Sequence, residues 1–224
     1  MILSAAQTVA VTLIGGVVAL DGTSVGQFMV SRPFVAAALG GLAVGRPAEG
    51  IAAGVVLEAL HLAVLPVGAA RYPEGGPPAV AAGAVYAANV PPVAQAATLL
   101  LAVLVALALE VAGGRSVALL RQWNVRFAGA PEGGISPGRL AGRQLAPVAA
   151  DFARGALLTL AGVLALGWLL RAIDVSGFPE LAVGTILRVS MVAGLASALR
   201  LFGRAHYRLF LAGAAAGVVV AWLR

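Results

Sequence analysis

Three acids, Asp21, Glu58 and Glu74, are spread through a chain that is otherwise built for lipid, and polar residues lie close to each of them. Gln27 and Arg32 follow Asp21, and His61 lies three residues after Glu58. A charge at the centre of a membrane helix costs roughly 2.5–3.5 kcal/mol by insertion scales, so acids kept in such a setting mark a polar site. Carboxylates accept hydroxyl hydrogen bonds and an amide both donates and accepts. These residue types suit the binding of a neutral polyol. Each candidate also has a plainer reading. Glu58 can orient two ligand hydroxyls or pair with Arg32 or Arg71. Asp21 can bind ligand or cap the turn into Gly22 and Thr23. Gln27 can meet a hydroxyl or cap a helix, and Arg32 can neutralise an acid. Glu74 can face the pathway or water. His61, on a helix face neighbouring that of Glu58, can be a pocket residue or a satisfied core histidine.

Other chemistries find little support. The chain has no Cys, which excludes disulfides, thiolate metal sites and a phosphocysteine. It has no metal-ligand spacing, no nucleophile elbow, and no glycine loop in the strand–loop–helix context of a phosphate cradle. No metal, cofactor or nucleic acid is expected. All 15 basic residues are Arg, against 9 acids, for a net charge of +6. In a membrane protein such an excess orients loops. His206, between Arg204 and Arg208, reads as an interfacial residue, and Trp123, Trp168 and Trp222 as interfacial anchors.

The elements that must position these side chains are helices in a bilayer. Of 224 residues, 61% are hydrophobic and 11% charged, and the mean hydropathy is +0.98. A soluble domain carries about a quarter charged residues. A spanning helix needs about 20 apolar residues, so the chain predicts about six to nine crossings or partial crossings in one domain, 1–224. Residues 2–20 have no basic leader and read as a first membrane segment. Arg32-Pro33 and Arg46-Pro47 mark breaks. Residues 67–78, VGAARYPEGGPP, form the strongest breaker cluster. Two apolar pieces, 34–45 and 79–88, are too short to span and are expected to be re-entrant. They flank a longer stretch, 48–65, that carries Glu58 and His61. Short, Pro/Gly-interrupted segments point to a transporter site.

Residues 93–112 predict a span. The polar stretch 113–143 then predicts a cytoplasmic loop with an amphipathic surface helix over 116–128. Three further spans follow, near 149–171, 181–200 and 206–223, with the C-terminus outside by the distribution of Arg. Gly41-x-x-x-Gly45, Gly50-x-x-x-Gly54 and Gly213-x-x-x-Gly217 predict close helix packing.

The stretch Gln27-Phe28-Met29-Val30-Ser31-Arg32-Pro33, then Gly45, Gly54-Val55-Val56-Leu57-Glu58, Pro66-Val67-Gly68-Ala69-Ala70 and Tyr72-Pro73-Glu74 resembles a known family. It is similar to the membrane subunit EIIC of the mannose/fructose/sorbose class of bacterial sugar phosphotransferase systems. The resemblance is clear over about residues 15–85, and the order of later helices agrees, with Phe178-Pro179-Glu180 opening one of them.

The resemblance implies an all-α, polytopic sugar permease subunit of elevator type, or a related inverted-repeat fold, in the cytoplasmic membrane of a bacterium. It implies a partner membrane subunit EIID and soluble EIIA and EIIB phosphocarriers. The implied substrate is a hexose or amino sugar, phosphorylated by the partner, with no phosphate carried on this chain. The chain ends before the last helix that many members carry, and its 72–78 segment is richer in Gly and Pro than in mannose-specific members. The alternatives are a non-transporting scaffold or sensor that keeps the fold, and a secondary transporter with a proton on Glu58. An oligomer is expected.

Overall fold

Proline opens three of the shorter helices. Pro33 starts α2 (Pro33–Ala43), Pro47 starts α3 (Pro47–His61), and Pro77 stands in the first turn of α4 (Gly76–Ala88). A first-turn proline lacks an N–H that would have no helical partner anyway. In the computed structural model, residues 3–64, 72–89, 94–128, 137–175, 182–202 and 207–222 are described. The remaining helices are α1 (Ala5–Thr23), α5 (Gln95–Ala128), α6 (Pro137–Ala172), α7 (Val183–Phe202) and α8 (Tyr207–Trp222). Ser4 begins α1 with a reciprocal cap, its hydroxyl accepting from Gln7 N while the Gln7 side chain accepts from Ser4 N.

α4 is the centre of the bundle. Every residue from Gly76 to Ala87 is buried, and α1, α2, α3, α5 and α6 all pack on it. Its sequence allows this, because apart from Tyr86 it holds only Gly, Ala, Val and Pro. A Cβ on Gly83 would collide with the Ala37 carbonyl, and one on Gly40 with the Val80 carbonyl, so α2 and α4 touch backbone to backbone. α2 meets α3 in the same way. A Cβ on Gly41 would lie 2.8 Å from Gly50 Cα, and one on Gly54 2.8 Å from the Phe34 carbonyl. The Gly41 and Gly50-x-x-x-Gly54 positions are therefore real contact surfaces. α1 lies along α6, with Gly15 against Thr159 and Gly155 against Ala19.

Helix lengths sort the elements. At 1.5 Å per residue, α2 and α4 are roughly 17 and 20 Å long, short of the ~30 Å hydrocarbon core. α4 is held wholly inside the bundle, while α2 buries one face on α3 and α4 and leaves Phe34 and Leu42 exposed on the other. Among the described residues, three helical stretches are long and apolar enough to cross: Ala5–Thr23, Gln95–Arg126 and Leu140–Ala172.

Two expectations need correction. The stretch 113–143 is not one loop with a separate surface helix. α5 runs unbroken for 34 residues to Ala128 and α6 starts at Pro137. At roughly 50 Å each, both outrun the bilayer, and the Arg-bearing end of α5 is its projecting extension. Gly113-Gly114 reads as a breaker but sits within the helix, where a neighbouring segment needs the space of two missing side chains. The second correction concerns α8. A Cβ added at Gly213 or Gly217 would meet nothing within 4 Å, and α8 has no buried residue. Their glycine pattern packs against no described part of this chain.

Candidate functional site

Asp21 lies at the C-terminal end of α1, where the chain leaves the helix in a loop rather than continuing. Its carboxylate accepts from the backbone N–H groups of Phe28 at 2.6 Å and Ser31 at 2.8 Å. These bonds fold the loop over the helix end. The loop takes left-handed backbone at Gly26 (φ 97°), Gln27 (φ 58°) and Met29 (φ 66°). Two non-glycine residues in that region hold strain of about 1–3 kcal/mol each. Gln27 is exposed.

Glu58 faces the start of α2. One carboxylate oxygen is bonded to Arg32, and the other accepts from Phe34 N at 3.3 Å. The acid so satisfies an otherwise free N–H of the first turn and neutralises Arg32, the residue before Pro33. Arg71, the other partner considered for Glu58, lies outside the described residues, as does His206.

Residues 72–75 cross α5 as a strap without regular secondary structure. Glu74 N donates to the Glu110 carbonyl at 3.0 Å. The Tyr72 carbonyl and the Glu74 side chain lie where Cβ atoms of Gly114 and Gly113 would be, with Glu74 Oε2 2.8 Å from the latter position. The double glycine is the notch that seats the strap. Glu74 is gripped from α6. Arg154 Nη2 donates to its Oε1 at 2.6 Å and Nη1 to its Oε2 at 2.5 Å, a fork-to-fork pair. The same guanidinium donates to Asp151 Oδ1 from Nε at 2.9 Å and Nη2 at 2.7 Å, and to Ser116 Oγ at 3.0 Å. Asp151, fully buried, receives the Thr23 and Ser24 hydroxyls on its second oxygen. The network joins the end of α1 and the strap to the interior of α5 and α6.

His61 ends α3. Its Nδ1 is 2.8 Å from the Leu57 carbonyl and its Nε2 is 3.2 Å from Glu110 Oε2 on α5. His61 and Glu110 are both buried.

Between these groups lies a cavity of about 120 Å³. Arg32, His61 and Glu74 line it, together with Thr23, Ser31 and Tyr72. Of the six candidates, these three reach the wall. Asp21 and Glu58 hold the loop and the arginine that form the wall, and Gln27 lies in the exposed part of the same loop. The cavity walls can donate and accept hydrogen bonds at several points, which is chemistry for a hydroxylated, uncharged ligand.

Asp151, Arg154, Glu110 and Ser116 are site-building residues that sequence reasoning missed. The signal was available for three of them, since each is a charge within or at the edge of an apolar run, the criterion that singled out Asp21 and Glu58. Asp151 and Arg154 are also at i,i+3 spacing.

Comparison with known proteins agrees with this architecture. No curated protein matches the chain. A solved structure titled "Structure of membrane protein" superposes with a TM-score of 0.69 at 19% identity, covering 99% of this chain and 95% of its own. At that identity it establishes the helical membrane fold alone. The family described as the PTS system sorbose-specific IIC component matches residues 5–130, which include α1 to α5, the strap and the cavity. The chain therefore belongs to the sorbose-specific IIC family, the EIIC group of mannose/fructose/sorbose phosphotransferase systems, and is a membrane component of a sugar phosphotransferase system.

Proposed function

We propose that this chain is the sugar-translocating subunit of a mannose-family phosphotransferase system in the cytoplasmic membrane of a bacterium. It binds a hexose or amino sugar and delivers it for phosphorylation on a soluble partner. The observation that carries the reading is the cavity lined by Arg32, His61, Glu74 and neighbouring polar residues, inside the region that the family match covers. Ligand pockets run to about 300–1,000 Å³, so a 120 Å³ cavity has to widen to hold a sugar. The short helices α2 and α4, locked backbone to backbone, form a unit that can move as one body against the longer helices, in the manner of an elevator. EIID is the proposed membrane partner and EIIA and EIIB the phosphocarriers. This chain supplies position, and in-line transfer proceeds between the bound sugar and the partner.

The test is a ligand screen on the purified membrane complex, by thermal shift with hexoses and amino sugars followed by calorimetry. Stabilisation by one sugar class, weakened by Glu58→Gln through loss of the Arg32 anchor, supports the reading. A complex that binds no sugar while still assembling would overturn it.

A further inference from the structure

Glu110 has no role in the reading above, yet its geometry sets a condition on His61. A carbonyl oxygen only accepts, so His61 Nδ1, 2.8 Å from the Leu57 carbonyl, carries a hydrogen. In a neutral ring Nε2 is then a lone pair. That lone pair would face Glu110 Oε2 at 3.2 Å, in a site where Glu110 is only 2% exposed. Two buried acceptors do not face each other at this distance without a hydrogen between them. A second proton must therefore sit between them, either on the ring, giving imidazolium and carboxylate, or on the carboxyl group, donating to the ring. Glu110 Oε1 adds a second observation, because it is buried and accepts no hydrogen bond. A full charge there would be poorly solvated.

We propose that Glu110 is a positioning residue for the cavity, and that one proton shared with His61 ties α5 to the end of α3. His61 is itself cavity wall. Glu110 also holds the strap, another part of the wall that lies against His61 at Gly75, since its carbonyl accepts from Glu74 N. The tie is present while the pair keeps its proton. On the alkaline side a carboxylate faces a lone pair, the contact turns repulsive, and the end of α3 draws away from α5.

The charged groups around the pair do not replace that proton. On α3, Glu58 is engaged with Arg32 at the start of α2. From the strap and α6, Glu74 and Asp151 are engaged with Arg154. At the end of α1, Asp21 is engaged with backbone N–H groups. On α5 itself Arg115 is exposed, as is Arg188 on α7, and α4 brings no charged residue.

The proton assignment stands on geometry alone, and its effect on sugar rests on the function proposed above. The chain has two histidines, so ¹⁵N-histidine labelling of this chain in a His206→Gln background isolates His61. At neutral pH the expected spectrum is a ring protonated on both nitrogens. A ring protonated on Nδ1 alone, together with a protonated-carboxyl infrared band that Glu110→Gln removes, supports the proposal equally. A neutral ring beside an ionised Glu110 overturns it.

Val64 lines the cavity, and the chain has no native thiol, so Val64→Cys reports access. Between about pH 6.5 and 9, its thiol labelling should rise about threefold more than in the same variant carrying Glu110→Gln, whose amide donates to Nε2 without titrating. Equal pH profiles in the two backgrounds would overturn the proposal. Sugar affinity should follow the same profile. If no sugar binds while the labelling difference persists, the transport reading fails and the proton tie stands.

Discussion

Replacing Arg154 with methionine isolates the energetic weight of the network behind the strap. The guanidinium donates to both oxygens of Glu74, to Asp151 and to Ser116, and only about a tenth of the side chain is exposed. Methionine keeps most of the volume but removes every donor. Asp151 would keep the Thr23 and Ser24 hydroxyls. Glu74 would lose both of its side-chain hydrogen bonds while remaining 7% exposed. Breaking one side of a buried pair costs about 3–5 kcal/mol, because the remaining charge is left in a poor medium. The expected loss is therefore about 3–5 kcal/mol for Arg154→Met, most of it from Glu74. Adding Glu74→Gln should return about 1–3 kcal/mol, since a neutral amide is far cheaper to bury than a charge. The measurement is reversible unfolding in mixed micelles with a double-mutant cycle. A loss below about 1 kcal/mol in the single variant, or additive losses in the double, would mean that water reaches the pair and the network is not a buried one.

Other expectations follow from single contacts. Gly83→Val should cost about 3 kcal/mol or more and impair assembly, because its side chain meets the Ala37 carbonyl; expression with normal stability would contradict the backbone contact of α2 and α4. Glu58→Gln should weaken sugar binding by about 1–3 kcal/mol while the protein still inserts, as calorimetry would register. His61→Gln should retain phosphorylation-coupled uptake at a reduced rate, and acid-labile phosphate found on this chain and lost in the variant would contradict direct transfer. Tags placed between residues 129 and 136 and after Arg224 should report opposite sides of the membrane, the first cytoplasmic by the Arg excess around it.

Local chemistry reads well in this chain where a residue type has one dominant effect. Arg32-Pro33 and Arg46-Pro47 mark the starts of α2 and α3 because proline constrains both its own backbone and that of the residue before it. Glycine is harder to read. Gly113-Gly114 looks like a break, yet glycine in a helix is also a place for another segment to come close, and only the strap residues 72–75 decide between the two. The charge criterion that selected Asp21 and Glu58 applies equally to Glu110, Asp151 and Arg154, which lie inside the expected spans 93–112 and 149–171. Their pairings were beyond local reasoning. Arg154 and Glu74 are separated by 80 residues, and no spacing rule spans such a gap. The family motifs reached the loop and the start of the strap but not the α6 residues that secure it, since the family match ends at residue 130.

The burial of α4 bears on how the protein is made. Thirteen residues, all small or short apart from Tyr86, emerge from the ribosome well before α5 and α6, the helices that will cover one side of them. Such a piece is too short to settle across a bilayer by itself. It has to wait beside α2 and α3, its earlier neighbours, with one flank uncovered until later helices arrive. The Gly15 face of α1 waits even longer, because its partner surface on α6 is synthesised about 140 residues later, a large separation for two faces that must find each other in lipid. Biogenesis should therefore be most sensitive to changes that delay the second half of the chain. Truncation after residue 130 should leave a product that inserts but is cleared by membrane proteases, even though every residue of the family-defining region is present.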